Sequence, residues 1–162
     1  MILASIASGW AIWSLSFYWM HRSWHMGMDR NVKAAIVVGE RRHHELGDSD
    51  PYDIASDPEG AFVNFPKFVA IVLALVVAWL WCAGFGPLPA LALLTTIGVC
   101  AVCDTLVHNL AHLPERYTFW PVGWIRRLHR IHHTTWRHNY SFLSGIVWDV
   151  IFGTYKGRWP TD

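Results

Sequence analysis

At 162 residues the chain is long enough for one domain, 1–162, and too poor in charge to be an ordinary soluble one. Hydrophobic residues make up 53% and charged residues only 15%, where a soluble domain carries about 25% charged residues. A net charge of +1 leaves no basic surplus to hold phosphates, so nucleic acid is excluded as a partner and the bilayer is favoured.

Taken in chain order, residues 2–20 are apolar or small throughout. No basic residue precedes them and no small-residue exit follows, so they read as an uncleaved first span rather than a signal peptide. His21-Arg-Ser-Trp-His25 comes at once, an HxxxH pair. Glu40-Arg-Arg-His43-His44 follows, and then an acidic, Gly- and Pro-punctuated stretch from Glu45 to Phe62 that reads as a solvated connector. Residues 66–85 and 88–107 form a second and a third span, parted by a Gly86-Pro87 break suited to a hairpin between antiparallel helices. Twenty helical residues at about 1.5 Å each reach about 30 Å, the thickness of a hydrocarbon core. His108-Asn-Leu-Ala-His112 closes the third span with a second HxxxH pair, and Asp104 stands four residues ahead of it. His129-Arg-Ile-His132-His133 and then His138 come next. The run from Phe142 to Phe152 is too short to span and suits the interface or a place beneath the bundle. Cys82, Cys100 and Cys103 all lie in apolar runs with no repeated CxxC to suggest zinc. Cys100 and Cys103 read as buried thiols rather than a disulfide.

Threading these three spans through a bilayer puts 21–65 and 108–162 on one side. All 13 Lys and Arg residues fall in those segments or at their edges, so that side is the cytoplasm. Every histidine lies there too. The expected architecture is therefore an all-α integral membrane protein, with spans at 2–20, 66–85 and 88–107. Interfacial helices would complete a cytosolic histidine-rich cap from 21–65 and 108–162. Trp10, Trp13, Trp19, Trp79, Trp81 and Trp120 fit interfacial belts, or in part the core.

The histidine spacing has a physical reading. Residues four apart share a helix face, so each HxxxH can aim both imidazoles at one ion. In HxxHH the third and fourth positions along also lie on the side of the first. Neutral imidazole is the commonest metal ligand at near-neutral pH, and one ion takes about four to six ligands. The candidate ligands are His21, His25, Glu40, His43, His44, His108, His112, His129, His132, His133 and His138, more than one ion holds and suited to two. A single HxxxH would read as surface or satisfied core histidines. Four such groups on one side of a membrane do not. His138 stands as a ligand, a supporting imidazole or a surface one. Asp104 and Glu40 are the carboxylates with candidate roles in the chemistry. Asp104 can accept an imidazole N–H from the neighbouring box, or serve as a buried hydrogen bond or cap. Asp149 reads as a tie between the C-terminal segment and the cap.

The pattern resembles the fatty acid hydroxylase / sterol desaturase superfamily of integral-membrane, non-haem di-iron enzymes, from Tyr18 to Tyr155. Its specific part is the eight-histidine skeleton. The tail Asn139-Tyr140, followed by Trp148-Asp149-Val-Ile-Phe152-Gly-Thr-Tyr155, also looks like the NYG…WDxxFGTY ending of that family. The resemblance implies histidine ligands to two Fe ions (Zn can substitute in a purified protein), O₂ as co-substrate and a hydrophobic, lipid-like substrate. One departure stands out: the second box usually reads HxxHH, and here its first position is Glu40. Glu40 can ligate, bridge the ions, sit beside the ligands or pair with a neighbouring Arg.

The function expected is hydroxylation of a C–H bond with external electrons. Desaturation, or oxidation of a carotenoid or aldehyde, is the alternative. The chain has no Gly-rich dinucleotide fingerprint and no length left for a fused cytochrome. A separate donor, a ferredoxin or a cytochrome b5-like protein, is therefore expected on the basic cytosolic face. A homodimer is compatible with so few spans. The rival from another class is a haem- or metal-handling membrane protein, but haem needs only one or two axial histidines and leaves most of these unexplained.

Overall fold

The computed structural model describes residues 1–30, 33, 37, 41, 42, 44, 45, 72, 75, 76, 79, 80, 83–112, 119–141 and 143–157. Among them every regular element is helical and none is a strand. The helices are α1 (Ile2–Asp29), α2 (Pro87–Ala111), α3 (Val122–Thr135) and α4 (Ile146–Ile151).

Two of these are long and apolar enough to cross a membrane: α1 and, within α2, Pro87–His108. The expected count of three spans thus becomes two among the described residues. Most of 66–85 lies outside them, although residues 72, 75, 76, 79 and 80 are helical and Leu80 is buried in the core shared with α1 and α2. The break after this segment is made by Gly84 rather than Gly86. Gly84 takes a φ of 74°, and the Phe85 N–H returns to the Leu80 carbonyl at 3.2 Å, which closes the helix end before Pro87 opens α2. A left-handed residue is cheapest as glycine, and proline loses nothing at the first helical position.

α1 does not stop at residue 20, where its apolar run ends. With no proline to interrupt it, the winding continues through both histidines of HRSWH to Asp29. Its 28 residues reach about 42 Å at about 1.5 Å each, well past a hydrocarbon core of about 30 Å. The box therefore projects beyond the apolar part of the same rigid rod. α2 does likewise, carrying His108 at its last turn.

α1 and α2 run in the same direction, with Gly9 against Leu93 and Thr96 and, farther along, Trp13 against Asp104. A Cβ on Gly9 would lie 2.7 Å from the Leu93 carbonyl oxygen, so the two backbones touch there. Close approach at a small residue supplies packing where lipid offers no hydrophobic drive between helices. Gly9→Ala is expected to destabilise the fold by about 1–3 kcal/mol, the usual range for overpacking. Unfolding in detergent measures it, and a variant as stable as the parent would contradict the contact.

Around this crossing, Trp13, Phe17, Leu80, Leu93, Ile97 and Ala101 form the buried core. Trp13 is thus a core residue, not part of an interfacial belt, while Trp10, Trp19, Trp79 and Trp120 are exposed. The opposite face of α2 exposes Leu88, Leu91, Val99, Val102 and Leu106, an apolar stripe fit for lipid. Cys103 lies exposed on the same face and Cys100 is half-buried; both are free thiols. The expectation of two buried thiols fails at Cys103, because its helical position turns it outward beside Val99 and Val102.

α3 is strongly amphipathic. It buries Val122, Ile125, Leu128, His129, Ile131, His132 and His133, and exposes Arg127 and Arg130. α4 packs on α1: the Trp148 indole N–H donates to Ser14 Oγ at 2.9 Å, Trp10 stacks on Trp148, and Tyr18 stacks on Phe152. Its other side leaves Val150 and Ile151 exposed, as expected of a short apolar helix that does not span.

Candidate metal centre

The HxxxH spacing does what helical winding predicts. On α1, His21 and His25 face each other with Nε2 atoms 3.1 Å apart; His108 in the last turn of α2 and His112 just past its end do so at 3.0 Å. The structure then sorts the remaining rings into two groups. His21, His25, His44 and His132 form one, all buried; His108, His112 and His129 form the other, with His129 buried and its partners half-buried. Within each group, ligand nitrogens lie within 4.8 Å of one another. His129 Nε2 reaches His112 Nε2 at 2.8 Å. His133 lies between the groups, its ring centroid 4.2 Å from that of His44 and 4.4 Å from that of His129.

The HxxHH box of α3 is therefore divided. His132 turns to the first group, His129 to the second, and His133 stands where they meet. α3 crosses between the ends of α1 and α2, so one helical turn serves both.

Hydrogen bonding decides which nitrogen each oriented ring offers. His132 Nδ1–H donates to the His138 carbonyl at 2.8 Å, and His21 Nδ1–H donates to the Tyr140 carbonyl at 2.6 Å. A carbonyl only accepts, so the proton is on Nδ1 and the Nε2 lone pair faces the group. His132 Nε2 is buried without a hydrogen-bond partner, an arrangement that is costly unless something else meets the lone pair.

A metal ion would meet it. Nitrogens that share an ion at about 2.1 Å each sit about 3 Å apart when the two bonds are near a right angle. The donor set is all imidazole, which suits iron, zinc, copper or nickel. Two groups suit two ions, with His21, His25, His44 and His132 for one and His108, His112 and His129 for the other. The residues fit the metals that the sequence implied.

Electrostatics keeps the ligands available. Burial, and then the neighbouring imidazoles, hold His129 and His132 well below the ordinary histidine value of 6.5. Both are neutral donors at neutral pH. The unfolded chain binds protons at these sites that the folded, metal-free chain refuses. Their contribution to stability is thus complete above about pH 6.5 and is lost as pH falls below it toward the lowered folded values. The melting temperature of metal-free protein is expected to drop as pH falls from about 6.5 to about 5; a rise would contradict the reading.

The other candidate residues are placed as follows. Glu40 and His43 lie outside the described residues. His138 joins neither group. Its ring is partly exposed, Nδ1 lies 3.2 Å from Thr135 Oγ1, and burial with nearby Lys156 lowers its pKa. The residue acts through its carbonyl rather than as the ligand considered from sequence, because the chain turns its ring outward after α3. Asp104 does not hydrogen-bond to His108. Its carboxylate accepts from the Trp13 indole N–H at 2.9 Å, from the Ser144 N–H at 3.1 Å and from Ser144 Oγ. Asp104 thus ties α1, α2 and the turn before α4 together, which is the buried hydrogen bond that the sequence left open beside a role in the chemistry. Ser144 and the carbonyls of His138 and Tyr140 left no mark in the sequence that reasoning could use. Asn139 left one, since its left-handed φ of 55° is a conformation that asparagine tolerates well.

No curated relative and no solved structure matches the chain. The family model described as fatty acid hydroxylase matches residues 6–154. With nearly its whole length matched and seven of its histidines gathered into two metal-ready groups, the chain belongs to the fatty acid hydroxylase family.

Proposed function

We propose that the protein is a membrane-bound di-iron oxygenase that hydroxylates a C–H bond of a lipid or other hydrophobic chain. The observation that carries this reading is the convergence of seven imidazoles into two adjoining groups at the ends of apolar helices. Family membership makes the protein an oxidoreductase of the histidine-box type. Bound iron would supply the redox chemistry that activates O₂, which zinc cannot. In the overall reaction a C–H bond breaks and a C–O bond forms. The second oxygen atom leaves as water, with two electrons and two protons supplied from outside.

The chain's own residues do the rest. The imidazoles hold the ions without adding negative charge. A groove lined by Val107, Trp124, Ile125, Leu128, Leu143 and Ile146 reaches His129. At about 20 Å³, and with Asn139 and Ser141 also in its lining, the space is too small for an alkyl chain; its mostly apolar walls beside the second group are what supports a hydrophobic substrate there. A separate ferredoxin or cytochrome b5-like donor would supply electrons. Arg127, Arg130 and Arg137 are exposed at this end of the molecule, which supports docking of an acidic partner on the cytosolic side.

The test is turnover of iron-loaded protein under ¹⁸O₂ with a reductant and a lipid extract. A product heavier by one labelled oxygen supports hydroxylation. A product lacking two hydrogens and carrying no label indicates desaturation by the same centre. Full activity without iron would overturn the metal reading.

A further inference from the structure

We propose that Asp149 and Asn139 are positioning residues for one half of the metal centre, acting through the backbone of the 138–141 turn. The two carbonyls that orient imidazoles, His138 and Tyr140, flank a single residue, Asn139. Both serve rings of the same group, His132 and His21. One short turn therefore sets the Nε2 lone pairs of two ligands that come from different helices.

That turn is held from behind. Asp149 is fully buried on α4 and accepts from the Tyr140 N–H at 3.0 Å and the Ser141 N–H at 2.9 Å. Thr154 Oγ1 donates to its Oδ1 at 2.7 Å. Since the Thr154 hydroxyl hydrogen is committed there, the Tyr18 hydroxyl, 3.2 Å away, is the donor of their contact; Arg22 in turn donates to the Tyr18 oxygen at 3.0 Å. The network thus begins on α1, with Tyr18 about one turn before His21 and Arg22 directly after it. Asn139 grips the other side: its amide donates to the Leu128 carbonyl at 3.1 Å and the Lys156 carbonyl at 2.9 Å, and its Oδ1 accepts from the Lys156 N–H at 2.8 Å. The left-handed Asn139 backbone, with φ of 55°, lets the carbonyls on either side of it both reach imidazoles.

Asp149 touches the peptide whose carbonyl meets His21, and Asn139 joins that turn to α3, which carries His132. Loosening the turn frees two of four ligands to rotate or change tautomer. Loss of a group that orients a metal-bound histidine typically lowers metal affinity by 10–100-fold. Here the loss falls on the first group alone, because the turn's two oriented imidazoles both belong to it.

This inference rests on the two-ion reading above, and the experiment separates them. The full-length protein in detergent is loaded anaerobically with ferrous iron, or with cobalt(II) as a spectroscopic probe, and ions per chain are measured against a competing chelator. Parent protein should hold two. Asp149→Asn, which cannot accept from both N–H groups, should hold one ion as tightly as the parent and the other about 10–100-fold more weakly, with altered cobalt absorption bands. In a His112→Ala background it should weaken the one ion that remains; in a His25→Ala background it should leave that ion unchanged. Asn139→Gly keeps the left-handed backbone at little cost and should repeat the pattern, which decides the matter if Asp149→Asn does not fold. Two ions at parental affinity in the folded variant, or equal weakening of both, would overturn the positioning role. A parent that binds fewer than two ions would overturn the two-ion reading itself.

Discussion

His132→Ala is expected to abolish turnover and to lower the metal content from two ions per chain to one. The ring is buried, its Nδ1 is fixed by the His138 carbonyl, and its Nε2 has no hydrogen-bond partner among the described residues, so in the proposed site it would give that lone pair to an ion. Removing a residue that merely supports a ligand lowers affinity or activity by 10–100-fold; removing the ligand itself should exceed about 100-fold. His129→Ala should produce the mirror result, sparing the ion held by His21, His25, His44 and His132. Elemental analysis, with product quantification in extracts of a lipid-producing expression host, tests both. If each variant lost both ions together, the two groups would not be separate sites.

The second large effect is on the fold. Asp104→Ala removes the acceptor shared by Trp13 and Ser144 and leaves a buried indole N–H on the core crossing. Hydrogen bonds to a charged group are worth about 1.5–3 kcal/mol each and do not add fully, so a loss of about 3–4 kcal/mol is expected. Asp104→Asn should lose less, since it keeps one acceptor oxygen. Protein that still folds should retain its metal, because the carboxylate's described bonds go to Trp13 and Ser144. A stable Asp104→Ala protein that binds metal but does not turn over would restore a direct role for the carboxylate.

These outcomes separate what is local in this chain from what is not. The nineteen-residue apolar run and the HxxxH pairs are local patterns. Hydropathy and a spacing of four residues depend only on local composition and helix geometry, so sequence alone identifies the apolar parts of α1 and α2, the facing of His21 with His25 and of His108 with His112, and the failure of Phe142–Phe152 to span. It also identifies Asp149 as a tie, which its bonds to Tyr140 and Ser141 bear out. The end of α1 is not local in this sense: apolarity is lost at residue 20, and helical winding runs on to Asp29.

Which imidazoles share an ion is a different kind of question. HxxHH reads as one unit in the sequence, yet α3 passes between the ends of α1 and α2 and gives His132 to one group and His129 to the other. That division depends on the angle and depth at which α3 docks, set by packing of residues such as Ile125 against Val107 and Ala111, far apart in sequence. The carbonyls of His138 and Tyr140 are invisible for a simpler reason: every residue has a carbonyl, and only the tertiary path of the turn decides which two meet a ring. Asp104 had two chemically sound partners, the histidine four residues on and whatever α1 and the turn before α4 would bring. Proximity along the helix favoured the first, but folding delivered Trp13 and Ser144, and a carboxylate bonds to the donors that surround it in space.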